Sequence, residues 1–121
     1  MEPQAPARAA CAPRTVAECV EAPAHAGSLE GALRVGEAAR DGRLVRIGVW
    51  REGPGVRARF RASSCASLIA YAEVGCGVLE AGAVPDAADL RAALRGVHPA
   101  HEERAELVAA AIRAALAEES P

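Results

Sequence analysis

Residues 45–62, VRIGVWREGPGVRARFRA, decide the fold class of this chain. In two stretches of this segment, apolar residues alternate with residues that are mostly arginine, which is the pattern of strands that bury one face. The apolar positions are Val45, Ile47, Val49, Val56, Ala58 and Phe60. Between the stretches, EGPG at 52–55 has the glycines and proline of a tight turn. The segment therefore predicts an antiparallel hairpin, and a shorter strand is expected around Leu33 and Val35.

The part of the chain before this sheet is expected to contain a tail and one short helix. Residues 1–14 are rich in proline and alanine, and we expect a disordered tail there. Thr15 and Glu18 have the spacing of a capping box, which predicts a short helix that reaches Ala22. A chain of 121 residues is long enough for one core, so 15–121 is predicted to be a single domain.

Three helices are predicted after the hairpin. The first is expected to have Ser63 or Ser64 as its cap and to reach about residue 81. The second is capped by Asp86 and closed by Gly96, and the third begins at Pro99 and reaches about residue 118. The buried stripe of the third helix is Leu107, Val108, Ala111, Ile112 and Ala115. The order of elements predicts an α+β domain, with a small antiparallel sheet of about three strands and helices packed on one face.

The net charge and the length of the apolar runs argue against nucleic acid and membrane as partners. The formal net charge is −2, which offers no electrostatic footprint for nucleic acid. No apolar run approaches the roughly 18 residues of a membrane span, and the first residues lack the apolar core of a secretory signal. We therefore expect a cytoplasmic protein that contacts neither nucleic acid nor membrane. Its four cysteines are then expected to stay reduced, and none of them forms a CxxC pair.

Cys65 is the cysteine whose position in the sequence favours a reactive thiolate. At the start of a helix, free backbone N–H groups and the helix dipole favour a thiolate, which accepts sulfur, binds metal or attacks an electrophile. The alternative is a small buried residue without a role. Cys76 lies roughly 16 Å further along the same helix, too far to share a site, and is expected in the core. No role is predicted for Cys11 or Cys19.

Two charged residues extend the buried stripe of the last helix. Glu103 and Arg104 lie one turn before Leu107 and Val108. Because burying an unpaired charge is costly, side chains of this kind are seldom left without a partner. We therefore expect both to point towards a site.

Three segments of the chain resemble the IscU/NifU-type iron–sulfur cluster scaffold proteins. RFRASSCASLIA at 59–70 is similar to the family segment RF-x-T-x-G-C-G-S-A-I-A. EAPAHAGSLEGALRVGEA at 21–38 resembles ENPRNVG…GVGEA, and GVHPAHEERAELVAAAIRAAL at 96–116 resembles LPPVKIHCS-x-LA-x-x-AI-x-AA. The segments keep the family order and span roughly residues 16–117. The resemblance implies a small antiparallel sheet with helices on one side.

The resemblance also implies a chemistry and a set of partners. Family members hold a [2Fe–2S] cluster or zinc on three cysteines, with an aspartate or histidine, and they receive sulfur from a cysteine desulfurase. In this chain Cys65 matches the second cysteine and Asp41 matches the aspartate of the family's C-G-D motif, whose cysteine is replaced by Ala39. Glu103 and Arg104 stand where the family has H-C. One thiolate is therefore present where three are expected, too few for one chain to hold a cluster in the usual way.

Two functional interpretations follow. In the first, Cys65 binds metal, cluster or persulfide sulfur. A single Zn²⁺ or Fe²⁺ would use Asp41, Glu103 and His101 as well, or His98, and a cluster would be shared between subunits of an oligomer. In the second, the protein is an interaction or regulatory module without metal.

In the module interpretation, an ion pair between Asp41 and Arg104 closes the old site. An enzyme is a further alternative, with Cys65 and His98 or His101 as nucleophile and base. No third residue is placed to orient such a base, so the sequence predicts a protein that is not an enzyme.

A stripe of arginines on the predicted hairpin has its own alternatives. Its members are Arg46, Arg57, Arg59 and Arg61. They form a solvated sheet face, a docking face for an acidic partner, or an oligomer interface with an acidic surface such as Asp86 and Asp89. Nucleic acid is not favoured, because aromatic platforms and net positive charge are both missing.

Overall fold

A computed structural model describes residues 13–117. Its elements in chain order are β1 (Arg14–Thr15), α1 (Val16–Glu21), β2 (Arg34–Arg40), β3 (Arg43–Glu52), β4 (Gly55–Ala62), α2 (Ala66–Glu80), α3 (Ala87–Ala93), β5 (Leu94–Arg95), a 3₁₀ turn (Pro99–His101) and α4 (Arg104–Leu116). This order confirms the predicted α+β class.

The sheet has the strand order β2–β3–β4, and both pairs of strands are antiparallel. The predicted hairpin is β3–β4, which turns at Gly53 with a φ of +59° followed by Pro54. Strand β2 is longer than the short strand expected around Val35, because it runs for seven residues along β3 and beneath α4. The sequence pattern of β2 is weak, since the one buried residue of the strand is a glycine, Gly36.

The long helices cover one face of the sheet, as predicted. Helix α4 packs on β2 and β3, while α2 packs on β4 and against α4. Val45, Ile47 and Phe60 face these helices and are buried with them. No helix within residues 13–117 is long and apolar enough to cross a membrane.

The ends of the helices confirm two predicted caps and correct three other predicted ends. One of the three is the closure of the second helix by Gly96: α3 ends at Ala93, because Leu94 and Arg95 form β5. Thr15 with Glu18, and Asp86 with Asp89, form the expected capping boxes. Helix α2, however, has Cys65 as its N-cap residue, because the Ser63 hydroxyl instead accepts a hydrogen bond from the Leu44 N–H at 2.9 Å in β3.

The last helix does not begin at Pro99. The chain first forms a 3₁₀ turn, in which the His101 N–H donates to the His98 carbonyl at 2.8 Å and the His98 ring accepts the Ala100 N–H at 3.0 Å. Helix α4 then begins at Arg104. The expected end of this helix, near residue 118, lies outside the described residues.

The last residue of the predicted N-terminal tail takes part in a short β-ladder. Residues 1–12 of the expected tail lie outside the described part of the chain. Arg14, which was assigned to the tail, instead pairs with Leu94 in a short parallel ladder between β1 and β5. This ladder ties the start of the described chain to the region that follows α3.

A buried carboxylate, which the sequence analysis missed, fixes the loop between α1 and β2. The Glu73 side chain is 0% exposed. It accepts the His25 backbone N–H at 2.8 Å and lies 2.7 Å from Nδ1 of the same histidine. The other ring nitrogen of His25 lies 3.0 Å from Glu80. The backbone of His25 and Gly27 bonds in turn to Phe60, so this network places a short extended segment along the outer edge of β4.

Replacing Glu73 with glutamine is expected to lower the free energy of unfolding by about 1–3 kcal/mol, because the buried site needs acceptors and the amide supplies only one oxygen. Urea unfolding followed by circular dichroism measures the change. Glu30→Gln, at an exposed position, is the matched control and is expected to stay within about 0.5 kcal/mol. Equal stability of the two variants would contradict this role of Glu73.

Candidate functional site

An open cavity of about 480 Å³ lies among the β2–β3 turn, the start of α2 and the 3₁₀ turn. Its polar lining includes Asp41, Arg43, Ser64, Cys65, His101 and Arg104. Three of the four predicted site residues, Cys65, Asp41 and His101, therefore line one cavity. Glu103 is not part of the lining, but it binds a residue that is.

The Cys65 thiol lies at the junction between β4 and α2. Its backbone is extended, and its N–H donates to the Ser63 carbonyl at 2.8 Å, so the residue stands just before the first turn of the helix. Nε of Arg104 donates to the Cys65 sulfur at 3.3 Å.

The surroundings of Cys65 favour its thiolate. Partial burial raises the pKa of the thiol, but the Leu68 backbone N–H and the guanidinium groups of Arg104 and Arg43 lower it by more. The pKa of Cys65 is therefore held below its ordinary value, as expected for a sulfur that faces backbone amides and positive charge.

Arg104 is a buried cation that is held by the Glu103 carboxylate, the Cys65 sulfur and the Ala100 carbonyl. The residue is 5% exposed, and its Nη1 lies 2.9 Å and 3.1 Å from the two Glu103 oxygens while Nε binds Cys65. The predicted Asp41–Arg104 ion pair is wrong, because no Asp41 carboxylate oxygen lies within 4.0 Å of Arg104, whose Nη1 and Nε bind Glu103 and Cys65 instead. Glu103 was expected to extend the buried stripe of the last helix and to have a partner. It does have a partner, but its side chain is 43% exposed and does not continue the buried stripe.

Asp41 has a conformational role that the sequence analysis missed. Asp41 and Gly42 form the two-residue turn between β2 and β3, with φ values of +53° and +78°. Aspartate followed by glycine is a preferred pair for this type of hairpin turn, so the signal was present in the sequence. The backbone requirement of the turn accounts for an aspartate here without any ligand.

His101 is anchored by a serine that the sequence analysis also missed. Nδ1 of His101 lies 3.2 Å from the hydroxyl of Ser67, a buried residue in the first turn of α2. Desolvation lowers the pKa of His101, and the charge of Arg104 lowers it further. The neighbouring His98 uses Nδ1 to accept a backbone N–H, so that nitrogen is occupied.

The donor set of the cavity does not fit a cluster held by one chain. Within residues 13–117, no group of three or more His, Cys, Asp or Glu side chains is placed to hold a metal ion. A [2Fe–2S] cluster takes four ligands, mostly thiolates, and the cavity presents one thiolate, Cys65. The guanidinium of Arg104 beside this sulfur also opposes a cation.

The other described cysteines belong to the core. Cys76 is fully buried and burial raises the pKa of its thiol strongly, which confirms the core position predicted for it. Cys19, in α1, is also fully buried, and burial is the main cause that raises its pKa. Cys11 lies outside the described residues. Among the described cysteines, Cys65 alone combines partial exposure with a lowered pKa.

No protein-family model matches this chain, and no curated protein is significantly similar to it. The resemblance to the IscU/NifU-type scaffold proteins therefore stays a prediction from the sequence.

Proposed function

We propose that this protein accepts sulfur on Cys65 and carries it as a persulfide, as a divergent scaffold-like protein of iron–sulfur cluster assembly. One observation carries the proposal: a buried guanidinium, Arg104, donates to the Cys65 sulfur at 3.3 Å at the wall of an open cavity. A thiolate and a persulfide are both anions, so the same guanidinium stabilises the sulfur before and after it is loaded.

The transfer needs no group beyond the donor and Cys65. The Cys65 thiolate attacks the outer sulfur of a donor persulfide, and a new S–S bond forms as the S–S bond of the donor breaks. The donor sulfur leaves as a thiolate, and the outer sulfur remains on Cys65 with its proton or as an anion. The lowered pKa of Cys65 supplies the attacking thiolate.

The charge of the cavity favours this role over the metal-binding alternative. The lining of the cavity contains two guanidinium groups, Arg43 and Arg104, and one carboxylate, Asp41, while Glu103 outside the lining offsets part of the Arg104 charge. Glu103, which was expected to bind metal, is engaged by Arg104. By the sequence resemblance, the proposed donor is a cysteine desulfurase of the cytoplasm, and the loaded protein passes its sulfur to other assembly proteins.

The test offers the protein a persulfide donor. The reduced chain is incubated without oxygen with glutathione persulfide, and separately with a cysteine desulfurase and L-cysteine, then trapped with iodoacetamide. Mass spectrometry is expected to find one extra sulfur atom on the peptide that contains Cys65, removable with dithiothreitol. Cys65→Ala is expected to abolish this product, and Cys76→Ala is expected to retain it.

Two outcomes would overturn the proposal. One is the absence of the extra sulfur on Cys65 with both donors. The other comes from adding iron and sulfide to the wild type without oxygen: stoichiometric metal that depends on Cys65 would show that the site holds a metal rather than sulfur alone.

A further inference from the structure

A second cavity, of about 250 Å³, lies at the outer edge of β4. We call it the β4 groove, and its lining includes Val20, Pro23, Ala26, Phe60, Arg61 and Ile69. Most of these side chains are apolar, and Phe60 forms a buried floor. The volume is below that of pockets for drug-sized ligands and suits one large apolar side chain.

The β4 groove lies next to the point where the segment of His25 and Gly27 stops pairing with the outer edge of β4. Phe60 directs its N–H to the His25 carbonyl at 2.9 Å and its C=O to the Gly27 N–H at 3.1 Å, both away from β3. Because alternate residues of a strand direct their backbone groups to the same edge, the N–H and C=O of Ala62 also face this edge. In residues 13–117 no backbone or side-chain group bonds to them, and Ala62 lines the groove.

Arg61 brings an unbalanced charge to the rim of the groove. In the sheet it stands directly opposite Arg46, and like charges at opposed positions are destabilising. Arg46 is neutralised by Glu37 at 2.8 Å. No carboxylate within residues 13–117 lies within 4.0 Å of the Arg61 guanidinium, and the residue is exposed. A carboxylate from outside the described chain would give Arg61 the partner that Glu37 gives Arg46.

We propose that the β4 groove binds a short, extended, acidic segment of a partner protein. The segment adds to the edge of β4 through the free N–H and C=O of Ala62, as peptides do on other exposed sheet edges. One apolar side chain of the segment fills the groove, and a neighbouring carboxylate pairs with Arg61. The bridge that Ala26 already makes with Phe60 shows that this edge accepts a parallel extended chain. The proposal does not depend on the chemistry of Cys65.

The test titrates blocked hexapeptides into the isotope-labelled full chain and follows backbone amide signals by NMR. The probe peptide has a central leucine between glutamates, and two control peptides replace the glutamates with lysines or the leucine with serine. We expect saturable shifts at Ala62, Gly27 and Ile69 with the probe, and much weaker shifts with both controls. Arg61→Glu is expected to weaken binding by at least about fivefold compared with Arg113→Glu, an equal charge change on an exposed part of α4.

A second variant tests the backbone contact. Ala62→Pro removes an N–H that has no partner in residues 13–117. We therefore expect it to weaken binding of the probe peptide while leaving the midpoint of thermal unfolding close to that of the wild type. Equal binding of the lysine peptide, or equal affinity of Arg61→Glu and Arg113→Glu, would overturn the proposal. Octanoate that competes fully for the groove, together with no effect of Ala62→Pro on the probe, would point to a small fatty acid instead and overturn it as well.

Discussion

Replacing Gly36 with alanine is expected to lower the free energy of unfolding by about 3 kcal/mol or more. A Cβ atom at this position would lie 2.1 Å from the Ala111 carbonyl oxygen and 2.2 Å from the Ala115 backbone nitrogen. Both atoms belong to the backbone of α4, so no side chain can turn away to make room. The helix must move off β2, and the core beneath it must open.

A glycine in α2 provides the control with the opposite sign. At Gly77 the nearest heavy atom to a Cβ is a ring carbon of His25 at 3.9 Å, so a methyl group fits. Gly77→Ala is expected to raise stability by up to about 1 kcal/mol, because alanine favours a helix over glycine. Urea unfolding followed by circular dichroism measures both variants. If Gly36→Ala were as stable as the wild type, α4 would not pack against β2 as closely as described.

Local patterns in the sequence were enough to predict the hairpin and two helix caps. The alternation around Ile47 and Phe60 depends only on which face of a strand is buried, and the capping boxes at Thr15 and Asp86 involve residues three apart. Features of this kind need no knowledge of the tertiary fold. The Asp41–Gly42 turn was also local, and it was missed because Asp41 was considered only as a metal ligand or as the partner of Arg104.

Other features that sequence reasoning missed depend on how distant segments pack or on the direction in which a side chain points. Glu73 and His25 are separated by 48 positions and meet only when α2 packs against the loop before β2. The partner of Arg104 was assigned to Asp41, although adjacent Glu103 is closer. Side-chain direction decides such pairs, and spacing alone does not specify it. The sequence predicted that the start of the last helix points towards the site of Cys65. It did not predict that Arg104, 39 positions later, donates a hydrogen bond to the Cys65 sulfur.

Replacing Arg104 with leucine is expected to raise the pKa of Cys65 and slow its reactions at neutral pH. Arg104 stabilises the thiolate by a hydrogen bond and by its charge, so its removal favours the protonated thiol. Because the thiolate is the nucleophile, the alkylation rate at pH 7 falls about tenfold for each unit by which the pKa rises. The pH at which alkylation by iodoacetamide reaches half its maximal rate is the measurement, read by mass spectrometry on the Cys65 peptide.

Matched variants separate this effect from a general loss of charge or of structure. Arg113→Leu removes the same charge from an exposed position on α4 and is expected to leave the Cys65 profile unchanged. Arg104→Lys keeps the charge but loses the planar Nε–H donor, so its midpoint is expected between those of the wild type and Arg104→Leu. All proteins carry Cys11→Ser, and buried Cys19 and Cys76 report unfolding if they react. If alkylation of Cys65 were half-maximal at the same pH in Arg104→Leu and Arg113→Leu, Arg104 would not activate Cys65. The proposal that Cys65 carries sulfur as a persulfide would then lose its main support.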